Sequence, residues 1–284
     1  MSNPFGCARS PHRPVPMSGP AGVASMLIAA LAMAGSGKEA AAQNAVSTSN
    51  GKVDLRGGYE RSINEGINGG FVAGTGSFTM PLGQSFGLQL DGGIGWVDSN
   101  FYGGGGAHAF WRSPTAGLLG IWTQASTLDH AYLARVGGRG ELYLSGLTFG
   151  GYAGYQWGNR GDSVQVNHGV IAGIDAIGYP TENFAIKGAV GWDAGKWYGR
   201  GGLEFQPAFT NMRGLSFFAD AGGGQNRQLF ALGGVRFYFG PDKSLMRRHR
   251  EDDPPPLPIT ELPQYRRNGH GHVGGGGGND TIPE

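Results

Sequence analysis

The sequence predicts an all-β protein, a transmembrane antiparallel up-and-down β-barrel of about twelve strands, preceded by a signal peptide and followed by a disordered tail. Three observations predict it. Apolar and polar side chains alternate with a period of two through residues 52–240, the signature of strands with unlike faces. Many of the alternating runs reach ten residues or more, the length a tilted strand needs to cross hydrocarbon and about twice that of an ordinary soluble strand. Aromatic residues collect where the runs end, at Trp96, Trp111, Trp157, Tyr179, Trp192, Trp197, Phe205 and Phe239, as amphipathic rings do in the two headgroup zones of a bilayer.

Residues 1–42 read as an export signal. Arg9 and Arg13 give a positive start, Ala21 to Ala34 form a short apolar core, and Ala40-Ala41-Ala42 offer the small residues that signal peptidases cut. The core is too short for a spanning helix, which takes roughly 20 residues. The lone cysteine, Cys7, falls inside this segment, so the exported chain has no thiol for a disulfide, a zinc finger or a nucleophile. Residues 43–51 are a short linker.

The strands follow in order. Alternating runs occupy residues 52–60, 69–80, 84–97, 101–112, 117–125, 130–144, 146–157, 165–179, 182–193, 196–206, 213–223 and 228–239. The third is the clearest: Phe86, Leu88, Leu90, Ile94 and Trp96 share one face, while Gln89 and Asp91 lie on the other among glycines. Compact turns at Pro81–Gln84, Ser113–Ala116, Ser145-Gly146 and Pro180-Thr181 alternate with the more open segments Asn64–Asn68 and Gly158–Ser163. An even strand number brings both ends of the barrel out on the turn side. An unpaired backbone N–H or C=O in lipid costs several kcal/mol, so such a sheet has to close and leave no edge.

Charge narrows the function. Residues 52–240 carry 13 basic and 13 acidic side chains, which excludes the basic field that nucleic-acid binding requires. Strand parity turns Asp54, Arg56, Asp91, Arg135, Arg139, Glu141, Lys187, Arg200, Glu204, Asp220 and Arg236 toward the lumen, separated by glycines. Charged walls with room between them suit a water-filled passage. The same residues paired across a narrow bore would plug it, since eight strands give a filled barrel and sixteen an open channel.

Over residues 52–240 the chain resembles the Gram-negative outer-membrane β-barrels. The most specific piece, Gly234-Val235-Arg236-Phe237-Tyr238-Phe239, is similar to the terminal-strand signal read by the barrel-assembly machinery, with Gly234, Phe237 and Phe239 in its key places. It departs from that signal in two ways: Leu232 stands where a polar residue is usual, and 45 residues follow Phe239. The resemblance implies residence in the outer membrane, with both termini periplasmic and with outer-membrane lipid and the assembly machinery as partners.

Other chemistry finds little support. His108, His130 and His168 lack the neighbouring serine of a lipid hydrolase, so no enzyme is expected. Gly92-Gly93-Ile94-Gly95 lacks the Lys-Ser/Thr of a phosphate loop, and Arg160-Gly161-Asp162 reads as a solvated turn. His270 and His272 are too few for a metal site, and no cofactor is implied. Residues 241–284, rich in Pro and Gly, read as a disordered periplasmic tail that could touch peptidoglycan or a periplasmic partner. The leading expectation is porin-like passive diffusion of small hydrophilic solutes. The alternative is a closed structural or surface-interaction barrel, adhesin-like and without conductance.

Overall fold

Alternation becomes architecture once each strand finds its neighbours. The computed structural model describes residues 45–61, 69–97, 100–162, 164–207, 214–225, 228–252, 254 and 265–267. The segment expected to be an export signal, the Asn64–Asn68 segment, His270 and His272 lie outside the described residues. The strands are β1 (Asn50–Arg61), β2 (Gly69–Leu82), β3 (Phe86–Val97), β4 (Asn100–Ser113), β5 (Gly117–Leu128), β6 (Ala131–Leu144) and β7 (Leu147–Gly158). They continue as β8 (Val164–Val166), β9 (Gly169–Thr181), β10 (Phe184–Asp193), β11 (Lys196–Phe205), β12 (Leu215–Gly224), β13 (Gln228–Phe239) and β14 (Tyr265–Arg267).

Twelve of them, all except β8 and β14, form a closed antiparallel ring in which sequence neighbours pair and β13 returns to β1. The seam runs in unbroken register from Gly51 opposite Phe239 to Arg61 opposite Leu229. Among the described residues, the single register irregularity falls between Phe184 and Ile186 on β10, where it meets β9. Asp129 and His130, at φ 48° and 61°, have the paired positive φ of a two-residue hairpin turn and join β5 to β6 directly.

The two faces differ as the alternation requires. Leu55, Leu90, Ile94, Ile121, Ile174 and Val190 stand exposed on the outer wall, Ile121 with 67% of its surface open. An apolar band of this extent is not a surface a soluble monomer keeps; it matches a hydrocarbon slab. Trp96, Phe101, Trp157, Trp192 and Trp197 are exposed outward at the loop end, and Phe86, Phe205 and Phe239 at the turn end. The inner wall buries Lys52, Asp54, Gln89, Gln124, Arg135, Gln156, Glu204 and Arg236.

Three expectations are corrected. The run 165–179 is not one strand. Asn167 and His168 separate β8 from β9, which opens at Gly169 with φ 156°, and β8 instead tucks Val164 and Val166 into an apolar cluster with Val97, Tyr102, Leu128, Ala131 and Leu133 inside the loop mouth. Tyr179 does not join the outer aromatic girdle; it is buried and faces inward, with its hydroxyl 3.0 Å from His249 Nδ1. The segment after β13 is not structureless at its start. Leu245–Arg247 form a helical turn that runs into a π-helical turn, Arg248–Asp252, and this stretch packs into the turn mouth. The physical reason is convergence: Leu245 fills an apolar pocket made by Ile177, Tyr179, Ala185 and Tyr238, residues that meet only after the ring has closed.

Candidate functional site

The lumen is built by strand parity, and many of its charges join in three ion-pair groups among the described residues. In the first, Arg236 on β13 binds Asp54 on β1 through Nε and Nη2, at 2.6 and 2.9 Å, and reaches Glu204 on β11 through Nη1 at 2.9 Å. Arg56 Nη2 donates to Asp54 Oδ2 at 2.7 Å, and Lys187 on β10 pairs with Glu204. In the second, Arg139 on β6 binds Glu141 on the same strand and Asp175 on β9, both at 2.9 Å. In the third, Arg135 binds Gln156 on β7 and Asp193 on β10 at 2.6 and 2.7 Å. Most of these contacts join positions on the same or nearby strands. The longest reach is Arg135–Asp193, across three strand intervals from β6 to β10.

Glycine makes this flat arrangement possible at two places. A Cβ on Gly173 would come within 2.7 Å of the Tyr152 ring, and one on Gly191 within 2.8 Å of the Tyr198 ring. Without those side chains, both tyrosines lie against the wall and their hydroxyls bond to each other.

A cavity of about 190 Å³ remains in the middle, lined from nearly the whole circumference, including Arg56 on β1, Asp91 on β3, Trp122 on β5, Arg139 on β6, Arg200 on β11 and Asp220 on β12. That is less than the 300 Å³ or so of a small ligand pocket, enough for water and ions in this state. Of the eleven lumen candidates, Arg56, Asp91, Arg135, Arg139, Lys187, Arg200, Asp220 and Arg236 line this cavity, while Asp54, Glu141 and Glu204 sit behind them as ion-pair partners. Parity could also have found Lys52, Asp175 and Asp193, which occupy inward positions of recognised strands. At the seam, Phe237 and Phe239 pack edge-to-face with centroids 5.0 Å apart, and Gly234 leaves room for the Phe218 ring.

The turn mouth is filled by both terminal segments. Ser47 Oγ donates to Asp252 Oδ1 at 2.7 Å, and Lys243 Nζ donates to both Ser47 Oγ and Asp252 Oδ1, at 2.7 and 2.6 Å. Arg250 Nη2 donates to the carbonyls of Leu144 and Leu147, at 2.7 and 2.9 Å, and its guanidinium stacks over Tyr143 and Tyr179. His249 lies between the hydroxyls of Tyr179 and Tyr238, with Nε2 3.6 Å from Glu204. Burial pushes its imidazole down to about 3; Glu204 pulls the other way, while Lys187, Arg236 and Lys52 add to the downward push. None of these plug residues carries a periodic signal, so alternation had no means of finding them.

At the loop end Asp129, His130 and Asp162 come together, with His130 Nδ1 3.1 Å from Asp162 Oδ2, and the His130 and Asp162 side chains are open to solvent. Arg160-Gly161-Asp162 belongs to the turn before β8, where Gly161 N–H donates to the Val164 carbonyl at 2.8 Å. His168 lies outside any strand, within 2.7 Å of the Gly158 carbonyl.

No family model matches the chain, and no curated protein does. Solved structures do. The KdgM porin superposes with a TM-score of 0.52 at 12% identity, covering 66% of this chain and 99% of its own. The same porin in complex with disordered oligogalacturonate gives 0.50, also at 12% identity, with the same coverage. An outer membrane channel from Pseudomonas putida F1 gives 0.51 at 10% identity, covering 72% of this chain and 100% of its own. At these identities the likeness is one of fold. The chain has the architecture of bacterial outer-membrane β-barrels, and these neighbours are porins and channels.

Proposed function

We propose that this protein is an outer-membrane channel for small hydrophilic solutes whose bore is narrowed at the turn end by its own C-terminal segment. The observation that carries this reading is the course of the ion pairs. Arg236, Asp54, Glu204 and Lys187 link along the wall of β13, β1, β11 and β10, while Arg56, Asp91, Arg200 and Asp220 line the central cavity. A barrel serving only as a scaffold gains nothing from such a wall, because burying ion pairs stabilises no better than apolar packing of similar volume.

The second reading, a closed structural barrel, draws on the small cavity and on the filling at both mouths, by β8 and by residues 241–252. Conductance in a planar bilayer separates them. The channel reading expects current from the full exported chain and a larger unitary conductance from a chain ending at Gly240. If both proteins insert and stay silent, the closed barrel is correct.

A further inference from the structure

The charges of the barrel cancel in total, yet they are not spread evenly in depth. Residues 52–240 carry equal numbers of basic and acidic side chains, and in several inward pairs the cation stands nearer the water. The Lys187 side chain keeps 26% of its surface open and its partner Glu204 none. Arg56 keeps 13% against 2% for Asp54, and Arg139 keeps 12% against 2% for Glu141. Arg236 is likewise more open than both of its carboxylates. The Arg135–Asp193 and Arg139–Asp175 pairs run the other way. The lining of the central cavity records the sum: among the described residues it holds seven lysines and arginines against three aspartates, Asp91, Asp175 and Asp220. Lys52, one of the seven, meets a neutral group there, its Nζ donating to the Pro254 carbonyl at 3.2 Å. We infer that the bore prefers small anions, inorganic ions and short carboxylates, over cations of the same size. As a statement about transport this rests on the channel reading; as a statement about which ions occupy the cavity it rests on the lining alone.

A ring of ion pairs with most positive ends inward has no net charge, and still it holds the enclosed space at a positive potential. Each inward cation is nearer the axis than the carboxylate that neutralises it, and Coulomb energy falls with distance. Low-dielectric walls concentrate that field in a narrow bore. The recessed carboxylates are held in place. Glu204 accepts from Lys187, Arg236, Ser216 and Tyr238, and Asp54 accepts from both Arg236 and Arg56. Salt weakens the effect, because the screening length falls from about 10 Å at 0.1 M to about 3 Å at 1 M.

The test is the reversal potential of the full exported chain in a planar bilayer under a KCl gradient around 0.1 M. Chloride should permeate at least about threefold better than potassium, with the ratio falling toward unity near 1 M. Arg56→Gln combined with Lys187→Gln removes two inward cations while Arg236 still pairs with both Asp54 and Glu204. That variant should shift the ratio toward potassium by at least about twofold. A parent ratio at or below unity would overturn the inference, and so would an unchanged ratio in the variant. A protein that inserts and stays silent removes the channel reading, and a second measurement then decides the ion preference by itself. Trp122 is buried and lines the cavity. Its fluorescence, taken as the difference between the parent and Trp122→Phe in detergent, is titrated with iodide and with caesium, each normalised to free tryptophan amide. Iodide should quench at least about threefold more strongly than caesium. Equal quenching, stronger quenching by caesium, or none by either ion would overturn the inference whether or not the barrel conducts.

Discussion

Arg236 on the last barrel strand stands directly opposite Asp54 on the first, and its guanidinium donates to both carboxylate oxygens across the seam. Ring closure and charge pairing are thus performed by the same two residues. Removing either one leaves the other with a single buried ion pair, Arg236 with Glu204 or Asp54 with Arg56, a loss of up to about 3 kcal/mol. Asp54→Ala and Arg236→Ala should each lower the thermal unfolding midpoint in detergent by several degrees. Asp54→Asn, which keeps an acceptor, should fall less.

His249 makes the plug sensitive to acid. Its imidazole has an ordinary value of 6.5 when free and about 3 when docked. Above the ordinary value the ring is neutral in both states, and docking does not depend on pH. Between the two values the undocked segment holds one more proton, so docking weakens as pH falls, by up to about tenfold per unit. From pH 7.5 to 5.0 the docked fraction relative to the undocked should drop by up to about thirtyfold, read as open time in bilayer recordings. His249→Gln should flatten that dependence between pH 7.5 and 5.0.

Leu245 anchors the same segment. It has no exposed surface among Ile177, Tyr179, Ala185 and Tyr238. Leu245→Asp would place a charge in that apolar pocket and should release residues 241–252. Limited proteolysis of the refolded protein should then cut after Arg247 or Arg248 at least tenfold faster than in the parent, with the barrel itself left intact.

Ile121 tests the membrane assignment. It lies near the middle of β5 with 67% of its surface open to the outside. In lipid, Ile121→Arg should cost about 2–4 kcal/mol, measured as a reduced folding free energy in vesicles. A water-facing wall would accept the same change within about 0.5 kcal/mol.

Much of this molecule is legible in its sequence. Leu90, Ile94 and Ile121 against Gln89, Asp91 and Gln124 already separate an oily face from a wet one, because side-chain direction in a strand reverses at every residue and needs no partner to do so. Strand boundaries followed from the turns, and closure from the cost of a bare edge in lipid. What only the tertiary structure decided was how the inward residues combine. Whether Glu204 meets Lys187 and Arg236, or Arg139 meets Asp175, depends on the stagger between strands, which local alternation does not encode. The same holds for the break at Asn167 and His168 that frees β8, for the inward turn of Tyr179, and for the seating of Leu245, His249 and Arg250. Their binding surfaces are assembled from strands more than a hundred residues away in some cases and exist only once β13 has met β1.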